Sequence, residues 1–162
     1  MPAENRIAAA TYTFRQNGNL LEKSFSDLER EEWLRRPAEG SNPVLWIVGH
    51  VIWSRSRVLA LLGEEWTRPW LPLFARGATL AGDAQYPAPQ DIVAAWHDVT
   101  PHLTAALDAA PAEALAAPVG EKSPSYDGTV GGMITFLAFH ETYHVGQVGY
   151  LRCWLGHDGV VG

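Results

Sequence analysis

Apolar side chains along this chain recur at helical rather than alternating spacing. Ile7, Phe14, Leu21 and Leu28 fall seven apart, with Ala10, Gly18 and Phe25 on the intermediate turns. That stripe belongs to an amphipathic helix lying along a bundle. It predicts a first helix from Ala3 to Glu32, weakest at Gly18, with Pro37 and Gly40 marking the break that follows. Asn42 offers an N-cap and Pro43 a favoured first helical residue, so a second helix is expected from there to Leu62, stopped by Gly63. Ile92, Val93, Trp96, Val99, Leu103 and Leu107 place a third helix over Pro89 to Ala110. Pro101 lies inside it and is expected to kink or divide it near Thr100. Thr129 can cap a fourth helix that runs through Leu155 and ends at Gly156. No useful β-alternation appears, and the pattern reads as an all-α four-helix bundle, a single domain over residues 1–162.

The connections differ in length. Residues 63–88 carry Pro69, Pro72, Gly77, Gly82 and Pro87 together with Trp66, Trp70 and Phe74, a long loop between helices 2 and 3. Such a loop is either functional or spans the bundle so that the next helix runs parallel to the last. Its aromatics either cover the edge of the core or wall a substrate pocket. Residues 120–128, rich in Ser, Pro and Gly, form a second loop.

Composition narrows the function. A chain of 162 residues with 47% hydrophobic content supports one compact core. Twelve basic against eighteen acidic residues give a net charge of −6, with no basic cluster longer than Arg35-Arg36. Nucleic acid is therefore not an expected partner. The single cysteine, Cys153, excludes an intramolecular disulfide framework and fits a reducing compartment. It follows His140 by thirteen residues, about 220° around a helix, and is expected to be a small packed hydrophobe rather than a metal thiolate. The polar start Met1 to Arg6 lacks the apolar core of a signal peptide, so a cytoplasmic location is expected. The run Val44 to Val48 is followed by His50, Arg55 and Arg57, which reads as too short and too charged for a membrane span.

The chemistry concentrates in histidines. Residues 140–144 read His-Glu-Thr-Tyr-His within an apolar stretch, and His50 lies in the other strongly apolar stretch. Two residues four apart on a helix are about 6 Å apart along the axis and about 40° around it, so His140 and His144 can aim at one ion. Chance alone yields ~0.2 such pairs in a chain of this histidine content, so the spacing decides less than the apolar setting, where an unpaired imidazole is costly. Either the three imidazoles share a divalent metal with an open position, or they are satisfied by core hydrogen bonds. Gln147, three residues after His144, can support that ligand or contact substrate, Tyr143 can donate to a bound molecule or simply pack, and Glu141 can act as a base toward metal-bound water. His97 and His102, five apart, do not form a chelating pair and read as surface or packing residues.

The literal match of residues 140–144 to H-E-x-x-H raises a zinc protease. The extended pattern requires glycine three residues and histidine six residues after the second histidine, where this chain has Gln147 and Tyr150. No glutamate follows among the 18 residues after His144. The protease reading is set aside.

Asn42-Pro43-Val44-Leu45-Trp46-Ile47-Val48-Gly49-His50, taken with His140-Glu141-Thr142-Tyr143-His144-Val145-Gly146-Gln147, resembles the DinB/YfiT-like superfamily of metalloenzymes. The likeness covers nearly the whole chain in order and spacing and departs at Pro43, where the family has a small polar residue. It implies a bundle with a divalent ion, zinc, nickel or manganese, held by His50, His140 and His144. It also implies a small-molecule substrate, and together with the seven tryptophans and the apolar loop it leads to the expectation of a homodimer. Members of the family include transferases using low-molecular-weight thiols such as bacillithiol or mycothiol, and a thiol-dependent maleylpyruvate isomerase. A third kind is a domain of sulfoxide synthases, which fits poorly a chain that is only a bundle. The expectation is metal-dependent transfer of a small thiol, with hydrolysis by metal-bound water and a non-catalytic, metal-stabilised binding module as alternatives.

Overall fold

The long apolar stripes become helices in a computed structural model that describes residues 7–78 and 82–161. The four long helices are α1 (Ala8–Phe25), α2 (Val44–Leu61), α3 (Pro89–Ala109) and α5 (Val130–Trp154), and a single turn, α4 (Ala112–Ala116), precedes the last. Among the described residues there is no strand, only an isolated bridge between Pro118 and Thr129. α5 packs between α1 and α2, and α3 closes the ring between α2 and α1. α1 therefore lies diagonally from α2 and α3 from α5, while α2 and α3 are neighbours that run parallel, which requires the long connection between them.

Local chemistry sets most boundaries. The Thr129 hydroxyl accepts the Gly132 N–H, and Gly156, with φ of +99°, ends α5. At Gly132 a Cβ would sit 2.1 Å from an Asp127 carboxylate oxygen, so the capping loop needs glycine there.

Several expected features differ. α1 stops at Phe25 rather than Glu32, because the chain turns to bring Trp33 against Phe25, with ring centroids 5.3 Å apart. The cap of α2 is Pro43, whose carbonyl accepts the Ile47 N–H, while Asn42 makes no capping bond. α3 continues through Pro101 undivided, held by Val99, Leu103 and Leu107 in the core on either side. Cys153 is exposed, not packed. α2 is long and apolar enough to cross a membrane by length and composition, contrary to its reading as too short; 13 of its 18 residues, Arg55 among them, are buried inside the bundle, which marks a core helix.

The core has two halves. One gathers Ile7, Phe14, Val58, Leu103, Leu107, Ile134 and Leu137, the other Leu21, Phe25, Val48, Ile52, Trp96, Val99, Val145 and Val148. At their junction lies a buried polar layer. Arg55 of α2 donates from Nε and Nη2 to the two carboxylate oxygens of Glu141 on α5, each at 2.8 Å. Both side chains are essentially inaccessible, at 1% and 0% exposure. Arg55 also donates to the Thr100 hydroxyl on α3 at 2.8 Å and the Phe14 carbonyl on α1 at 3.3 Å, with its guanidinium 4.0 Å from the Trp96 ring centre. Next to it, Asn17 bonds the Ala138 carbonyl and exchanges hydrogen bonds with the Thr142 hydroxyl.

Breaking one member of such a pair strands a buried charge. Arg55→Met or Glu141→Leu alone is expected to lower the unfolding free energy by about 3–5 kcal/mol, and the double variant by less than either. Urea unfolding of the three proteins measures this; additive losses would show that the pair is not energetically coupled.

Candidate metal centre

One to two helical turns from this layer, the three histidines meet. His140 Nε2 is 3.1 Å from His144 Nε2 and 3.4 Å from His50 Nε2. One ligand atom from each of the three lies within 4.8 Å of the other two. Three nitrogens on a tetrahedral zinc at about 2.0–2.1 Å stand about 3.3 Å apart, so the observed separations fit one shared ion.

The far sides of the rings decide between an ion and a hydrogen-bonded cluster. His50 Nδ1 lies 2.7 Å from the Phe74 carbonyl, which can only accept, so the ring's proton is on Nδ1 and its Nε2 lone pair faces the cluster. His144 Nδ1 donates at 2.7 Å to Gln147 Oε1, which gives it the same tautomer. Two lone pairs thus converge with at most one proton, from His140, to share between them. A cation at the centre satisfies all three. His140 Nδ1 is buried without a hydrogen-bond partner among the described residues, so this imidazole is the least firmly oriented of the three.

Aromatic walls surround the ligands. His50 stacks with Trp46 at 4.9 Å and Trp53 at 5.3 Å, Tyr143 meets His144 edge-on at 5.3 Å, and Phe136 lies 6.2 Å from His140. Burial among these rings lowers the pKa of all three histidines, His144 to about 4. The neighbouring His50 pushes His144 and His140 down further, and Arg76 adds to the effect on His140; the Phe74 and Gln147 hydrogen bonds oppose it at His50 and His144. At neutral pH the site therefore presents three neutral imidazoles, ready to ligate.

The other expected site residues separate. Gln147 accepts from His144, and its Nε2 donates to the Tyr143 hydroxyl at 3.3 Å. Glu141 is turned away from the histidine group: both its oxygens accept from Arg55 in the core layer. The loop aromatics do not wall a pocket together. Trp66 donates to Asp98 at 2.9 Å on α3, Trp70 packs edge-on against Phe74, and Phe74 is fully buried. What the loop brings to the site is a backbone carbonyl. His97 and His102 are exposed, bonded to Glu22 and the Asp98 carbonyl, far from any chelating arrangement with each other.

A profile of the DinB superfamily matches residues 13–148, most of the chain and all three histidines. The chain belongs to the DinB superfamily. No functionally curated protein matches it. Among solved structures, this DinB-superfamily bundle is similar to YfiT from Bacillus subtilis, described as a probable metal-dependent hydrolase with an unusual four-helix bundle topology. That likeness has a TM-score of 0.67 at 14% identity and covers 93% of this chain and 87% of that one. It establishes the shared four-helix fold.

Sequence reasoning missed the Phe74 carbonyl as the partner of His50 and the need for glycine at position 49. A Cβ at position 49 would lie 2.4 Å from the Phe74 ring, so glycine is what allows the loop to close over α2 beside His50. A glycine preceding a candidate ligand inside a helix is the signal that could have shown it. Gly49→Ala is expected to displace Phe74 and its carbonyl, cost about 1–3 kcal/mol of stability from overpacking, and weaken divalent metal binding about tenfold. Unchanged affinity by calorimetric titration would contradict that role for the loop.

The imidazoles also set a pH dependence. Unfolded histidine takes up its proton near 6.5, whereas folded His144 resists to about 4. Between those values the unfolded chain holds more protons, so this stabilisation is complete above 6.5 and lost as pH falls toward 4. The melting temperature of metal-free protein is expected to drop across that window, and the drop to be shallower in His144→Ala.

Proposed function

We propose that this protein is a metal-dependent enzyme that transfers a low-molecular-weight thiol to an uncharged electrophile, with His50, His140 and His144 as the ligands of one divalent ion. The observation that carries the reading is the convergence of three neutral imidazoles, two of them oriented by hydrogen bonds, with no carboxylate among them. A divalent ion so held keeps its full charge and lowers the pKa of a thiol or water bound beside the three ligands.

The donor set favours the thiol. With Glu141 locked to Arg55, no carboxylate joins the histidine group among the described residues to take a proton from water. A thiol, whose ordinary pKa is near 8.5, needs far less help to ionise than water does. The chain's own contributions are positional. Phe74 and Gln147 fix two tautomers, the tryptophans flanking His50 limit water on that side, and Gln147 links the centre to the exposed Tyr143 hydroxyl. Hydrolysis is the second reading, favoured by the likeness to YfiT.

One assay separates them. Metal-loaded protein, prepared without a nickel column, is mixed with an activated ester with and without bacillithiol, mycothiol or glutathione, and conjugate and hydrolysis product are followed together. Conjugate formation that needs both metal and thiol, and falls at least 100-fold in His50→Ala, is expected. Turnover independent of thiol would establish the hydrolase reading, and metal-independent behaviour throughout would leave a binding module.

A further inference from the structure

On the Gln147 side of the metal centre a cavity of about 640 Å³ opens between α5 and the segment leading into α2. It falls in the size range of small-molecule sites. Its floor includes Ile47 and Leu151, and its polar side chains are those of Ser41, Asn42, Tyr143, Gln147 and Tyr150. No charged side chain lines it, although the chain carries thirty basic and acidic residues in all.

Two features point to a ligand rather than a packing gap. Asn42 stands where a helix cap is expected, yet forms no capping bond, and its amide bonds no other described residue; it borders the cavity instead. A local rule broken beside a functional centre is where a sequence gives up stability for a site. Second, Gln147 is shared. Its Oε1 accepts from His144 at 2.7 Å and its Nε2 donates to the Tyr143 oxygen at 3.3 Å. With the phenol oxygen already accepting, the hydroxyl hydrogen of Tyr143 is left to donate into the cavity.

We propose that this cavity holds the body of the substrate, and that it takes an uncharged molecule presenting a hydrogen-bond acceptor, an amide or ester carbonyl, to the Tyr143 hydroxyl. The inference rests on the metal-centre reading, since Gln147 is what joins the cavity to His144. An anionic body finds no counter-charge in the lining, and desolvating it there is unfavourable. The polar contacts of Asn42 and Tyr150 at the rim suit a second polar group on the same molecule.

The test uses acetanilide as the neutral carbonyl probe and benzoate as its charged counterpart, titrated into isotope-labelled full-length protein while the amide signals of Gly146, Gln147 and Leu151 are followed. Metal content is measured separately on the same samples. Acetanilide is expected to shift these signals, Tyr143→Phe to weaken that binding about fivefold, the effect of one neutral hydrogen bond, and benzoate to leave the signals of metal-free protein unmoved. Tyr143 is 61% exposed, so the phenylalanine variant is expected to fold. The proposal is overturned if acetanilide leaves the signals in place, if it binds Tyr143→Phe equally well, or if benzoate binds metal-free protein there as tightly. A chain that takes up no metal but whose cavity signals follow acetanilide contradicts the metal-centre reading and keeps the cavity assignment. A metal-loaded chain with unmoved signals does the reverse.

Discussion

The buried ion pair between Arg55 and Glu141 is the constraint on which the rest of this structure depends. Two charges with no access to water cost several kcal/mol each to desolvate, and only close, fully hydrogen-bonded geometry offsets that. Here the geometry draws on all four long helices, through Glu141 of α5, Thr100 and Trp96 of α3, and the Phe14 carbonyl of α1. A slide of α2 against α5 by a single residue would leave a charge unpaired. His50 lies five residues before Arg55, and His140 and His144 flank Glu141, so the register that satisfies the pair is the register that makes the three imidazoles meet. The contribution of the pair is specificity of alignment more than net stability, the use of buried polar groups best attested in helical assemblies.

The metal centre follows an electrostatic logic of its own. Aromatic rings remove water from the imidazoles and hold them neutral, while a backbone carbonyl and a side-chain amide turn two of them so that their lone pairs point inward. With at most one proton, on His140, to share between contacts of 3.1 and 3.4 Å, the lone pairs of His50 and His144 are not both satisfied unless a cation lies between the rings. The apolar halves of the core thus serve different ends. One half closes the bundle at the start of α5, and the other supports the helices that carry the ligands and the loop that orients His50.

How much of this was legible in the sequence depended on whether the signal was local. The helical stripes, the Thr129 cap and the Gly156 stop are local, and each proved readable. The parallel run of α2 and α3 was one of two readings of the long loop, and only the packing of the core decides it. The pair His140 and His144 was visible from spacing and its apolar setting. The partner of Glu141 was not, since Arg55 lies 86 residues away, and of the two arginines between Ile52 and Val58 only the structure shows that Arg55 is buried and Arg57 exposed. The Phe74 carbonyl carries no side-chain signature at all. Asn42 misled because the favoured chemistry of a helix cap and the lining of a cavity call for the same amide.

The most direct test is X-ray absorption at the metal edge of protein purified without a nickel column, with metal content measured on the same sample. The account expects about one divalent ion per chain, with three imidazole nitrogens at about 2.0–2.1 Å and the remaining coordination from light atoms. A chain that holds no ion, or one whose ion is bound by a thiolate or by fewer than three imidazoles, would contradict it.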